Sequence, residues 1–279
     1  MSSTAAAVAG SGAALTAVSI LLAVSPGAAA WYTPFVLGSY LLFGTLNATT
    51  YGASTLLVLR HQPRRWFRLY SAIAVVSLLV DVPVGRLLGP FWSYPHLSLA
   101  EQLVHVWLIG YPFGLLSAAE TYWFLYRPIP SRGPRPGATM KGRGSARALA
   151  VLAVLDAVLV TAAVALGTSG RREGMQDALA PLLLLLPLTA DLTATMRGRP
   201  GLVAAALDRR FAPLATTVLF SGVIGVLHEV PNTWAGEWVY CGIPLTRAEV
   251  LGVNALVLFP GWFFLLMIAL VLTNHVLPP

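Results

Sequence analysis

The feature that most constrains this chain is a series of apolar runs, each long enough to cross a lipid bilayer. A spanning helix needs about 20 mostly apolar residues. Eight stretches qualify: 12–30, 35–59, 66–88, 103–126, 147–168, 177–197, 212–232 and 250–275. Charged residues make up 10% of the 279 residues, whereas a soluble domain carries roughly 25%. A water-soluble globular enzyme and a disordered chain are excluded on that ground. The single cysteine, Cys241, excludes a disulfide framework and a cysteine-based metal site. The sequence therefore predicts an all-α integral membrane protein with about eight transmembrane helices. The Ala-rich first run is the weakest of the eight; it lacks the early positive charges of a signal peptide. Seven helices remain if it lies in the interface.

The net charge of +7 belongs to loops between apolar runs, as the positive-inside rule predicts, and no nucleic-acid motif accompanies it. Arg60, Arg64, Arg65, Arg68, Arg127, Arg132, Arg135, Lys141, Arg143, Arg147, Arg197, Arg199, Arg209 and Arg210 fall on one face. Arg86, Arg171, Arg172 and Arg247 fall on the other. The first face is expected to be cytoplasmic, with both termini on that side of a bacterial plasma membrane. Lys141, the one lysine, lies in a loop, so no helix can hold a retinal Schiff base. The stretch 128–147, rich in Pro, Gly and Arg, reads as a basic cytoplasmic linker between an N-terminal unit, 1–127, and a C-terminal unit, 148–279.

Those units align with each other. A shift of 148 residues places Asp81-Val82-Pro83 on Glu229-Val230-Pro231 and Pro112 on Pro260. With a two-residue gap, Trp92-Ser93-Tyr94 falls on Trp238-Val239-Tyr240. Each half would contain four helices, an even number, so the two repeats are expected to run parallel, related by an axis along the membrane normal. Helices three and seven would then face a central cleft, with Asp81 and Glu229 entering it from opposite walls.

An ionisable group at membrane depth costs roughly 2.5–3.5 kcal/mol on insertion scales and is a functional candidate by default. Asp81 and Glu229 are the candidate catalytic pair. A buried, protonated carboxyl is a proton donor suited to an alkene or a strained ether, and a second carboxylate can accept the proton at the end. The alternative is that either acid only bonds a neighbouring helix, with Arg86 available to pair with Asp81. Glu120, Asp156 and Asp191 read as polar contacts between helices. The histidines, His61, His96, His105, His228 and His275, lack helical zinc spacing, so no metal site and no cofactor is expected. His228 stands beside Glu229 and is a candidate to tune it.

Aromatics follow each acid. Trp92, Tyr94 and Tyr111 follow Asp81, as does Trp107; Trp234, Trp238, Tyr240 and Trp262 follow Glu229, as does Phe259. Aromatic faces stabilise a desolvated cation by roughly 2 kcal/mol or more, which makes Trp92, Tyr94, Tyr111, Trp234, Trp238, Tyr240 and Trp262 candidate substrate-binding residues. The alternative is the interfacial aromatic belt of any membrane protein. Pro112 and Pro260 interrupt two helices and predict kinks beside a pocket.

The order His228-Glu229-Val230-Pro231, Trp238-Val239-Tyr240, Gly252-Val253-Asn254 and Pro260-Gly261-Trp262 resembles carotenoid hydratases of the bacterioruberin type. Asp81, Gly89 and Trp92-Ser93-Tyr94 resemble the lycopene-cyclase domain. A third similarity is to the small integral membrane terpene cyclases of meroterpenoid and indole-terpenoid pathways, which use an Asp and a Glu from different helices. The cyclase domain's Pro-x-Glu-Glu is replaced here by Tyr111-Pro112-Phe113-Gly114, and the hydratase-like Gly-Val-Pro by Gly252-Val253-Asn254. The resemblance covers about a third of the chain. It implies a membrane enzyme of isoprenoid or terpenoid lipids, either a terpene or carotenoid cyclase or a hydratase. No Asp-Asp pair is present, so magnesium-dependent ionisation of a diphosphate is not expected. The rival readings are a membrane transporter or lipid-binding protein, and a structural subunit of a larger assembly.

Overall fold

The computed structural model describes residues 2–25, 30–88, 91–126, 143–197, 201–207, 209, 211–241, 243 and 248–276. It is an all-helical bundle of membrane character. Among the described residues, six helices are long and apolar enough to cross a bilayer: Ser3–Ala23, Pro63–Leu88, Leu99–Tyr126, Ala146–Thr168, Gly174–Met196 and Ala212–Ala235. A shorter apolar helix covers Val257–Thr273.

The elements run α1 (Ser3–Ala23), α2 (Tyr32–Tyr51), the short α3 (Thr55–His61), then α4 (Pro63–Leu79) continuing as the π-helical segment π1 (Val80–Leu88). After strand β1 (Trp92–Ser93) come α5 (Leu99–Glu101), π2 (Gln102–Gly110) and α6 (Tyr111–Tyr126) as one continuous rod. The second half follows a similar order: α7 (Arg143–Thr168), α8 (Arg172–Met196), the short α9 (Leu202–Leu207), α10 (Ala212–Ala235) and β2 (Val239–Tyr240). A small hairpin of β3 (Glu249–Val250) and β4 (Val253–Asn254) then leads into π3 (Val257–Gly261) and α11 (Trp262–Val276).

The structure moves several expected boundaries. The first helix begins at Ser3 rather than at residue 12, because Ser2 caps it by accepting from the Ala5 N–H at 3.2 Å. Its small residues give it a packing partner that hydropathy does not register. A Cβ on Gly12 would stand 2.8 Å from the Gly38 carbonyl oxygen of α2, so the two backbones touch as small-residue helix pairs do. The expected run 35–59 breaks at Gly52, whose φ of 66° ends α2 in a left-handed turn. The expected helix 250–275 yields its start to the β3–β4 hairpin. The linker 128–147 lies outside the described residues as far as 142, and from Arg143 onward the chain is already α7.

α1 packs on α2 and α7 on α8, while α6 and α11 meet at the centre with α2, α4, α8 and α10 around them. One core joins Tyr40, Trp66, Leu69, Ile73 and Leu116; a second joins Tyr122, Ile224, Trp262 and Leu266. Leu21, Val151, Val154, Val164 and Leu219 are exposed, which places apolar side chains where lipid is the solvent.

The three other acids foreseen in apolar runs hold the bundle together. Glu120 on α6 is fully buried and accepts from Asn47 Nδ2, Ser54 Oγ, Thr55 Oγ1 and the Thr55 N–H at 2.5–3.0 Å. It thereby ties α2 and the start of α3 to α6. Asp191 on α8 accepts from the Val203 N–H at 2.8 Å and so holds the start of α9. Asp156 accepts from Thr189 Oγ1 at 2.7 Å across the α7–α8 pair.

Candidate functional site

Prolines and π-helical turns shape the region where the two halves meet. Pro83 lies in π1, Pro260 lies in π3, and Pro112 opens α6 just after π2. A proline has no N–H to give the carbonyl four residues before it. For Pro112 that carbonyl belongs to Leu108, and the Tyr70 hydroxyl donates to it instead. Wider π turns are common at functional sites, and here they carry Asp81, Trp107 and the turn before Trp262.

The Trp-x-Tyr triplets have a simple physical reason. Side chains two apart on a strand share a face. Trp92 and Tyr94 therefore point the same way, as do Trp238 and Tyr240. β1 and β2 pair antiparallel, with Trp92 opposite Tyr240 and Ser93 opposite Val239. The Cys241 N–H donates to the Phe91 carbonyl at 2.8 Å and extends the ladder.

Each triplet hydrogen-bonds the acid of its own half. Asp81 is fully buried. Its Oδ1 accepts from Trp92 Nε1 at 2.6 Å, Tyr111 OH at 3.0 Å and Tyr94 OH at 3.1 Å. Its Oδ2 accepts from Trp107 Nε1 at 2.7 Å and forms an ion pair with Arg86 Nε at 3.3 Å. That pair is electrostatic, since the Nε–H makes no hydrogen bond; Arg86 Nη1 donates to Gln102 Oε1 at 2.6 Å. The guanidinium also lies over the Trp107 and Tyr94 rings, 5.1 and 5.5 Å from their centres. Gly85 makes the fit possible: a Cβ there would stand 2.2 Å from Trp92 Cζ2.

Glu229 on α10 is buried too. Its Oε1 accepts from Tyr240 OH and Trp262 Nε1, both at 2.9 Å, and its Oε2 from Trp238 Nε1 at 3.2 Å. No cation pairs with it among the described residues. Gly225, one turn earlier on the same helix, sits under Trp262; a Cβ there would stand 2.9 Å from the indole.

A cavity of about 380 Å³ lies between these clusters. Trp92, Tyr94, Tyr111, Glu229, Trp238, Tyr240 and Trp262 all line it, together with apolar side chains such as Val80, Leu183, Leu256 and Phe264. Asp81 does not reach it; Trp92, Tyr94 and Tyr111, which donate to Asp81, stand between. Of the two acids, Glu229 is among the residues that line the cavity and Asp81 is not. Trp234 is 59% exposed and outside the lining.

Several residues of the site carried little sequence signal. Trp107 was visible as an aromatic, but not as a donor to Asp81. Tyr32 and Glu237 were not singled out, and both line the cavity. Gly236 ends α10 with φ 65°, and Asn232 pins the turn by donating to the Trp238 carbonyl at 2.8 Å and accepting from its N–H at 3.2 Å. The turn carries Glu237 inward, where its Oε2 accepts from the Tyr32 N–H at 3.1 Å. Burial pushes the Glu237 carboxyl up to about 7, against the smaller opposing pull of the Tyr32 N–H. Burial also raises the Tyr94 and Tyr240 hydroxyls, with Asp81 and Glu229 respectively adding to the effect. His228 does not touch Glu229 through a hydrogen bond. Its Nδ1 bonds Tyr32 OH at 2.7 Å and its ring lies 4.4 Å from that of Trp262. Among the described residues no three His, Cys, Asp or Glu side chains converge as metal ligands do.

The arrangement places two carboxyls that no described cation pairs with, Glu229 and Glu237, together with hydroxyl groups and indole faces around one apolar space. Comparison with family models, curated proteins and solved structures returns no match for this chain.

Proposed function

We propose that the protein is an integral membrane isoprenoid cyclase of the terpene or carotenoid type, working by proton transfer without a cofactor. The observation that carries this reading is that Glu229, which no described cation pairs with, faces a cavity walled by the aromatic residues that bind its oxygens. A carboxyl buried without a counter-charge is costly as an anion. In this reading Glu229 holds its proton on Oε2, since Oε1 already accepts two short bonds. That proton passes to an alkene carbon or an epoxide oxygen of the substrate. The next double bond attacks the resulting cation and closes a ring. Indole and phenol faces hold the cation, by roughly 2 kcal/mol or more where water is excluded. A proton then leaves the carbon beside the final cation for Tyr94 or Tyr111, whose hydroxyl proton moves to Asp81. One proton enters the substrate and one leaves, so the net change is an isomerisation. If water captures the cation instead, the same residues perform a hydration.

The element order supports a finer architecture: eight membrane helices in two parallel repeats, 1–127 and 148–279, joined by the basic linker 128–147. The antiparallel meeting of β1 and β2 is the pairing that a two-fold axis along the membrane normal would give. The arginine distribution favours cytoplasmic termini in a bacterial plasma membrane.

The test is product analysis by mass spectrometry in cells that make linear isoprenoids, with wild type, Glu229→Gln and Asp81→Asn. An isomeric or water-adduct product that disappears in Glu229→Gln, with the protein still in the membrane, is expected. Product that survives in Glu229→Gln, or no product from any chain length offered, turns the reading to a transporter, a lipid-binding protein or a structural subunit.

A further inference from the structure

The cavity holds a second carboxyl that the proton-transfer scheme does not use. Glu237 is only 2% exposed, yet it lines the space beside Trp238. Its bonding is sparse for its burial. Glu120, equally buried, has donors on both oxygens, and Glu229 has three ring or hydroxyl donors. Glu237 has one, the Tyr32 N–H on Oε2, and no described residue donates to Oε1. No cation pairs with it among the described residues.

A carboxyl taken out of water with few donors is costly, and one that lines a cavity can gain a hydrogen bond from what enters it. Neutral, a carboxyl offers one O–H donor and a remaining acceptor. That combination matches a hydroxyl or carbonyl oxygen and has nothing to offer a bare hydrocarbon. The rest of the wall is apolar or bonded to Asp81 and Glu229, apart from Tyr32, whose hydroxyl bonds His228, and His105, whose Nδ1 bonds Thr33 Oγ1. The cavity, about 380 Å³, is large enough to admit at least the reacting end of an isoprenoid.

We infer that the substrate is an isoprenoid bearing an oxygen function, a hydroxyl or a carbonyl, and that Glu237 is the group that holds this oxygen. The inference rests on the isoprenoid reading of the cavity and adds the chemistry of the substrate's polar end. Glu237 fixes which part of the chain stands against Glu229, and so acts as a specificity residue rather than a proton donor. The Asn232 clasp on the 236–238 turn keeps it in place.

The test is equilibrium binding to the purified full-length protein in lipid nanodiscs. Tritiated farnesol is the probe, displaced by unlabelled farnesol or by farnesene, the same skeleton without the oxygen. In wild type, farnesol is expected to displace at least tenfold better than farnesene. That preference falls to within twofold in Glu237→Leu and in Glu237→Ala, and Glu237→Gln, which keeps a donor and an acceptor, retains most of it. The Ala variant guards against a leucine that blocks the space. Equal displacement in wild type, or a preference that survives both apolar variants, overturns the role of Glu237 and leaves the isoprenoid cavity standing. If neither compound binds wild type, the isoprenoid reading is overturned as well.

Discussion

The surroundings of Asp81 and Glu229 are built from the same parts and end in opposite states. Both acids sit on a helix two residues before a proline, and both accept from the Trp and Tyr of a strand that follows. Around Asp81 there are four donors and a guanidinium, and the carboxylate is sealed away. Around Glu229 there are, among the described residues, three donors, no cation, and an open side toward the cavity. Arg86 makes the difference. The residue 148 positions later is Trp234, which points away and is exposed. Arg86 gives the Asp81 carboxyl a counter-charge, and no described cation does the same for Glu229.

Substitutions at the two acids sharpen this contrast most. Glu229→Gln is expected to keep the fold and lower product formation by about 10³-fold, within the range general acids supply. Membrane yield together with turnover in isolated membranes checks both halves of that statement. Asp81→Asn should act chiefly on stability. It strands Arg86, and breaking a buried pair costs about 3–5 kcal/mol, with the low end expected because Arg86 is 21% exposed. Thermal unfolding in detergent measures it, and adding Arg86→Met should recover part of the loss. If Glu229→Gln were the more destabilising of the two, the contrast between donor and anion would be wrong.

Glu237 adds a pH dependence that neither acid of the pair explains. Its carboxyl in the fold sits near 7, above the roughly 4.3 of a free glutamate. The folded state therefore holds the proton more tightly. The stability from this group is complete below about pH 4 and is lost as pH rises through 7, by up to about 3 kcal/mol. Unfolding midpoints across pH 5–8 should decline in wild type, and Glu237→Gln should flatten the decline.

The glycines under the two indoles give the smallest and most symmetric test. Gly85→Ala must displace the Trp92 ring, whose nearest atom would be 2.2 Å away. Overpacking of that kind costs about 1–3 kcal/mol, and loss of the Trp92–Asp81 bond should accompany it. Gly225→Ala meets Trp262 at 2.9 Å, so a smaller shift is expected. Tryptophan emission and thermal unfolding of the two variants would rank them, and the reverse order would overturn this account of the indole seats.

Much of the bundle was legible because lipid imposes length on helices. Hydropathy located each long helix to within several residues except where a local cap or turn sets the end, as the Ser2 cap and the turn at Gly52 do. The Trp-x-Tyr triplets were legible as a repeat, since they follow the two acids at nearly the same distance in both halves; that they pair as strands was not. Three features were hidden. Trp107 and Tyr111 reach Asp81 from another helix, across a π turn whose wider pitch no apolar period reveals. Glu237 looked like one charge in a loop, and only the left-handed Gly236 turns it inward. The exclusion of Asp81 from the cavity depends on how four rings pack, which is a property of the assembled bundle.

The two-residue ladder between β1 and β2 makes the two carboxyl nests mechanically one object. A slip of a single residue would reverse the face shown by every side chain on the moving strand. Trp92 and Tyr94 would leave Asp81, or Trp238 and Tyr240 would leave Glu229, and the cavity would lose a wall in either case. Neither nest can be retuned by strand sliding without disturbing its counterpart, so change at this site must come through side-chain replacement, position by position.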